Sequence, residues 1–324
     1  YRRQEDYRNP MDGNLRHAEC LEIYDCCRDQ NIIKYDEQDN IIEFVINHYA
    51  KYTSRNGDWD DFDPHKECTN AVFELPKSIG YLRKLEVLEF IYVNVTENIP
   101  IELGYLRNLK TLTLICENNS FNLSNINLPH TLSLLTNLET LVIKNYDFKN
   151  SDIEIISELS NLKQLVLHSS SDEDKDFSPL LKLKNLENLE IMSVGVDIFS
   201  FSEMKKLQRL YIYQYQQDGN ANINDFTELL FAFPCLEEVV SNCDFVGNVN
   251  KKLFEHPTLK NIDLFNYGDS EITIDFTNGN FPECQYSGRI SISTNIIGEI
   301  PHSYQQIGIE REEEIFLEGE GGRL

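Results

Sequence analysis

The chain is poor in the residue types and motifs that announce chemistry. It holds one tryptophan, Trp59, and three methionines in 324 residues. Its 29 lysines and arginines face 54 aspartates and glutamates, a formal net charge of −25. A surface of that sign repels a phosphate backbone, and no basic face with interleaved aromatics offsets it, which argues against nucleic acid as a direct partner. The same charge keeps an elongated molecule soluble, and it favours a partner protein with a basic surface by raising the encounter rate. No stretch approaches the roughly 18 apolar residues of a membrane span, so no transmembrane segment is expected. The histidines are dispersed, and no GxSxG, HExxH, P-loop or dinucleotide motif places a nucleophile, base or cofactor beside them. Paired CxxC motifs are missing, which removes a zinc site. Acidic stretches at 56–63 (NGDWDDFD) and 170–176 (SSDEDKD) lack the spacing of a calcium loop and read as solvated loops. Neither catalysis nor a cofactor nor a metal is expected.

What the chain does have is a recurrence. An aliphatic residue, two others, an aliphatic, one other and an aliphatic run through Leu85, Leu88 and Phe90, then Leu109, Leu112 and Leu114. The frame continues at Leu138, Leu141 and Ile143, at Leu162, Leu165 and Leu167, at Leu186, Leu189 and Ile191, and at Leu207, Leu210 and Ile212. Looser copies start at Leu236 and Leu259. Successive first positions lie 24, 29, 24, 24, 21, 29 and 23 residues apart. A unit that short cannot bury its apolar face alone, so neighbours must stack into one continuous core. Each unit reads as a short strand, a descending loop and a return segment. In the returns, Leu103 and Leu106, or Leu132 and Leu135, stand three apart as in a helical or 3-10 turn. Pro76, Pro100 and Pro129 suit the start of that turn, where no amide donor is needed.

The organisation follows. Residues 1–19 are polar and unpatterned, a flexible arm. No apolar signal segment opens the chain at Tyr1, which suits a processed product or part of a longer protein. Residues 20–70 form an N-terminal cap that includes a β-hairpin over 31–50, with Ile41, Phe44 and Ile46 turned inward as the first strand of the stack. Residues 71–301 carry the repeats without a domain break, ending with a strand over 288–294 that turns Ile290 and Ile292 inward. Residues 302–324 make an acidic terminal cap, with one last strand around 315–317. Cys20, Cys26, Cys27 and Cys68 cluster in the cap. They suit either disulfides in an oxidising compartment or reduced, buried thiols in the cytoplasm. The sequons at Asn94, Asn118 and Asn122 are candidate glycosylation sites if the chain is secreted.

These patterns resemble the leucine-rich-repeat superfamily over residues 20–317. LPKSIGYLRKLEVLEF (75–90) and IPIELGYLRNLKTLTL (99–114) look like its plant-specific subclass, and NIIGEIP (295–301) resembles that subclass's turn. The cysteine-bearing front is similar to the N-terminal caps of extracellular members. The resemblance implies an α/β solenoid, a horseshoe with a parallel β-sheet on its concave side and short helical or irregular convex segments. It also implies protein binding and a secreted or cell-surface location. One departure stands out. The family places asparagine three residues after the third leucine, where Val93, Glu117, Tyr146, Ser170, Val194, Tyr215, Asp244 and Tyr267 stand here. The turns must then satisfy their backbone groups differently, through neighbours such as Asn94, Asn118, Asn145 and Asn266.

Residues between the inward leucines point into the concave face. One column reads Glu89, Thr113, Val142, Val166, Glu190, Tyr211, Val240, Asp263 and Ser291. Flanking positions add Tyr92, His168, Arg209, Tyr213 and Phe265. Exposed aromatics there are costly unless covered, and tyrosine and arginine dominate binding hot spots. A partner contact is therefore expected over Glu89, Tyr92, His168, Glu190, Arg209, Tyr211, Tyr213, Asp263 and Phe265. The first functional reading is a non-enzymatic recognition module for another protein. The alternative is a self-assembling structural protein of a wall, sheath or filament.

Overall fold

The computed structural model describes residues 32–47, 72–95, 98–116, 124–169, 174–193, 196, 201–213, 221–265, 271–277, 281–305 and 307–311. The chain divides into two compact units, Tyr1–Leu207 with Gln214–Gln216, and Gln208–Tyr213 with Gln217–Leu324. The sequence pattern alone marks no such division. In a solenoid each coil touches only its neighbours, so an unbroken repeat carries no signal of where contacts thin.

The first unit is a sheet built from strands β1 (Ile32–Tyr35), β2 (Ile41–Asn47), β3 (Val87–Ile91), β4 (Thr111–Ile115), β5 (Thr140–Lys144), β6 (Gln164–His168) and β7 (Asn188–Met192). The hairpin β1–β2 is antiparallel, and every later neighbour pair is parallel. Its turn is held by Asp36, whose carboxylate accepts the Gln38 and Asn40 amides, both at 2.9 Å. Register aligns the repeat frame. Leu88, Leu112, Leu141, Leu165 and Leu189 stand side by side, as do Phe90, Leu114, Ile143, Leu167 and Ile191. All ten are at most 1% exposed. A side chain of this size contributes about 1.5–3 kcal/mol when fully buried, so these columns are a large share of the apolar stabilisation of the unit, beside the equally buried Leu85, Leu109, Leu138 and Leu162. Phe44 and Ile46 join them as expected, opposite Leu88 and Phe90. Ile41 stays half-buried, being out of step with Phe44 and Ile46 on the two-residue pleat.

The returns are 3-10 turns at Lys77–Tyr81, Ile101–Tyr105 and His130–Leu134, each entered from an extended proline. Gly104 lets two of them touch. A Cβ there would stand 2.2 Å from the Thr131 carbonyl oxygen. Helix α1 (Asn150–Ser157) replaces the turn in the next return. The buried Asp152 side chain accepts the Lys149 amide at 2.7 Å and the Leu128 amide of the preceding coil at 2.9 Å. Burial raises this carboxyl above its ordinary value despite both bonds.

The descending turns answer the missing asparagine. Tyr146 is fully buried. Its hydroxyl accepts the Val95 amide at 3.1 Å and donates to the Val93 carbonyl at 3.2 Å. Asn145, at φ +62°, donates to the Cys116 carbonyl at 3.0 Å. The Cys116 thiol in turn donates to Asn94 Oδ1 at 2.8 Å. Asn145 thus serves the turn backbone as expected and Asn94 engages a thiol instead, while Asn118 and Asn266 lie outside the described residues.

The second unit carries β8 (Arg209–Tyr213), β9 (Glu238–Ser241), β10 (Phe245–Asn248), β11 (Asn261–Phe265), β12 (Glu271–Asp275), β13 (Ser287–Ile297) and β14 (Ile307–Arg311). Strands β8, β9, β11, β13 and β14 follow one another in parallel. Here one expectation shifts. Ile290 aligns with Leu264, so Arg289 stands beside Asp263, and Ser291 beside Phe265. Gly288 takes the slot of the second leucine at φ +121°, where a Cβ would lie 1.9 Å from the Ile262 carbonyl oxygen. Strand β14 carries the stack past residue 301, with Ile307 and Ile309 paired to Gly288 and Ile290. The strand expected at 315–317 falls outside the described residues. Helix α2 (Ile223–Leu230) is capped by Asn222, which accepts the Asn224 amide at 2.8 Å. Phe254, Phe276, Phe281 and Tyr304 pack ring to ring beneath β12 to β14. His256 is structural. Its Nε2 donates to the Leu230 carbonyl at 3.0 Å and its Nδ1 accepts the Leu259 amide at 3.2 Å. Burial lowers its pKa.

Tyr146→Phe should destabilise the protein by about 0.5–1.5 kcal/mol, since it removes both bonds of the hydroxyl and leaves the Val95 amide only the Val93 carbonyl, at 2.9 Å. Urea unfolding measures this. A change within the fitting error would mean that the turn does not depend on that hydroxyl.

Candidate functional site

Between the inward columns, side chains face away from the core. In the first unit, register sets Glu89, Thr113, Val142, Val166 and Glu190 in one row, as the sequence places them. Two of them are covered. Thr113 is 6% and Val166 4% exposed. Strands about 4.8 Å apart let longer neighbours shade a short side chain. Thr113 Oγ1 donates to Glu89 at 2.9 Å.

His168 and Glu190 do come together, and they recruit Lys144, which sequence reasoning passed over. His168 Nε2 lies 2.6 Å and Lys144 Nζ 3.1 Å from the same oxygen, Oε1 of Glu190. Burial pushes the Glu190 carboxyl up, but His168 and Lys144 together outweigh it and hold the group below its ordinary value. Strand register carries the signal that was missed, since Lys144 stands directly beside His168. Tyr92 is half-buried at φ +57°, one residue past β3.

The other expected residues belong to the second unit. The rings of Tyr213 and Phe265 lie 6.2 Å apart, tilted by 44°, within the range of a favourable aromatic pair. Tyr211 donates its hydroxyl to Glu238 Oε2 at 2.8 Å, and Asn261 Nδ2 holds Glu238 Oε1 at 3.1 Å. Burial, then the Glu238 carboxylate, raises the Tyr211 phenol above its ordinary range. It is therefore a neutral donor. Arg209 is exposed on the same strand, and Asp263 sits between Val240 and Arg289.

A second feature escaped the sequence reading, on the loops that enter the strands of the first unit. The residue before the first leucine is asparagine in four consecutive coils. Asn108, Asn137, Asn161 and Asn185 donate their Nδ2 to the carbonyls of Arg83, Arg107, Thr136 and Ser160, at 2.6 to 2.9 Å. This ladder does the stitching that the family assigns to asparagine at the opposite end of the strand. The residue after the first leucine alternates in charge: Glu86, Lys110, Glu139, Lys163, Glu187. Lys110 meets Glu86 at 2.7 Å and Lys163 meets Glu139 at 2.9 Å. Both rows line an open groove of about 580 Å³. The recurring N-L-K and N-L-E triplets were the available signal.

Among the described residues, Cys116, Cys243 and Cys284 are buried and Cys235 is exposed. Cys20, Cys26, Cys27 and Cys68, with Asn118 and Asn122, lie outside them. Among the described residues no group of three acidic, histidine or cysteine side chains is placed to hold a metal. No helix there is long and apolar enough to cross a membrane.

A family described as a leucine-rich repeat region matches residues 67–224. No curated protein matches the sequence. Solved structures resemble it in fold. The ectodomain of the Arabidopsis receptor kinase HAESA, in complex with a peptide hormone ligand, is 17% identical over 74% of this chain and 44% of its own, with a TM-score of 0.53. An internalin from Listeria monocytogenes is 17% identical over 75% of this chain and 71% of its own, TM-score 0.53. A Leptospira interrogans leucine-rich-repeat protein is 19% identical over 75% and 63%, TM-score 0.50. The chain spans less than half of the HAESA ectodomain.

Glu190→Gln tests the charged trio. A depressed folded pKa means that the stabilisation is complete above the ordinary value of 4.5 and is lost as pH falls through the folded value. The variant should be less stable than the parent at neutral pH, and the difference should close on acidification. Urea unfolding across a pH series checks this, and a gap that is independent of pH would contradict it.

Proposed function

We propose that the chain, whose residues 67–224 match a leucine-rich repeat region, is a non-enzymatic recognition module that binds a partner protein through the strand face of its repeats. The observation that carries this reading is the aromatic pair Tyr213 and Phe265 in the second unit, only partly buried on a face turned from the core. Solvated rings at that position are unfavourable unless a partner covers them. Exposed Arg209, with the Tyr211 hydroxyl that donates to Glu238 and keeps its oxygen as an acceptor, supplies the polar rim of such a contact. The fold likeness to a hormone-bound ectodomain is compatible with this use of the face. The molecule's negative charge favours a partner of basic surface. A secreted or cell-surface setting agrees with the cysteine-bearing front and the sequons. In the first unit, His168, Glu190, Glu89 and Tyr92 would contribute secondary contacts.

Tyr213→Ala and Phe265→Ala should each weaken binding by about 1–3 kcal/mol while the protein stays folded at the assay temperature. The partner is first captured from the native source and identified, and its affinity for each variant is then measured by calorimetry. Unchanged affinity in both would remove the site.

A further inference from the structure

The groove on the strand-entry loops of the first unit has a composition unlike that of a protein-binding surface. Its walls are glutamate, asparagine and lysine throughout. A folded partner or an apolar peptide finds no hydrophobic or aromatic anchor there, although such anchors carry most protein–protein affinity. The lining alternates instead, with Glu86, Glu139 and Glu187 set against Lys110, Lys163 and Lys206. The two positions before each first leucine add Arg83, Lys84, Arg107, Lys184 and Lys205, all exposed, and no acid. A cationic rim thus runs along a molecule whose net charge is −25.

We propose that this groove binds an extended acidic polysaccharide, a chain of uronate type. Such a polymer carries both groups that the groove complements. Its carboxylates seat on the lysine ammonium groups, while its hydroxyls donate to the glutamate carboxylates and exchange hydrogen bonds with the asparagine amides. The rungs repeat about every 4.8 Å across the sheet, close to the advance of one sugar residue in an extended chain. Ion pairs that occupy the groove yield easily. Lys110 and Glu86 are 54% and 45% exposed, Lys163 and Glu139 50% and 48%, and solvent-exposed pairs contribute little net stability. This site is independent of the aromatic face in the second unit.

The experiment is calorimetric titration of the whole chain with a uronate oligomer long enough to span five rungs. The controls are a neutral oligosaccharide of the same length and a polyglutamate peptide. Saturable binding that weakens with added salt is expected for the uronate alone. The triple variant Lys110→Glu/Lys163→Glu/Lys206→Glu should lower its affinity at least tenfold, about 1.4 kcal/mol, with an unchanged melting curve. If charge reversal disturbs folding, the same three lysines changed to glutamine give the readout. Tyr213→Ala should leave uronate binding intact, which separates this proposal from the protein-binding face. Absence of uronate binding, equal binding of the neutral sugar or of polyglutamate, or parental affinity in a folded triple variant would each overturn it.

Discussion

Everything in this molecule depends on the alignment of inward aliphatic side chains from one coil to the next. Leu88 lies beside Leu112, which lies beside Leu141, Leu165 and Leu189. Parallel strands hold that alignment, and a slip of a single residue would turn a whole row to solvent. Because the core is a set of columns, the outer row is delivered in register as well. The charged trio around Glu190 is a by-product of that order, since Lys144, His168 and Glu190 come from three successive coils.

The architecture was legible because a period of two within strands and of 21–29 residues between them is imposed by burial itself. Proline positions located the return turns for the same reason, being tied to a backbone torsion. Register at the far end was not legible. Gly288 occupies a slot that the pattern reserves for an aliphatic residue, so counting isoleucines put Ser291 rather than Arg289 beside Asp263. Nor does the sequence indicate that a tyrosine hydroxyl would replace the turn asparagine at position 146. That substitution works through reach and burial, which a one-dimensional pattern does not contain. The candidate face was read correctly as a row and less well as chemistry. Thr113 and Val166 are shaded, and Lys144 was overlooked although it holds the same place in its strand as His168 does.

The two ends of the strands divide their labour. At the exit end, the buried Tyr146 hydroxyl satisfies backbone atoms away from water. At the entry end, exposed asparagines and paired charges do the joining in contact with solvent. Buried joints serve rigidity, because breaking one leaves an uncompensated polar group. Exposed joints exchange partners with water at little loss, which is what makes the entry end suitable for a ligand.

Each rung asparagine reaches back to the coil immediately before it and no further. Tyr146 instead bridges to Val93 and Val95, past the Leu109 coil that lies between them. The entry loops therefore behave like interchangeable links, whereas the early exit turns act as a clasp across several links. A coil cut from the Leu162 or Leu186 stretch would let the flanking asparagine and carbonyl meet again as equivalents. Excision of the Leu109 coil would leave the tyrosine clasp without its spacing, while loss of the Leu162 or Leu186 coil would part the Lys144–His168–Glu190 trio.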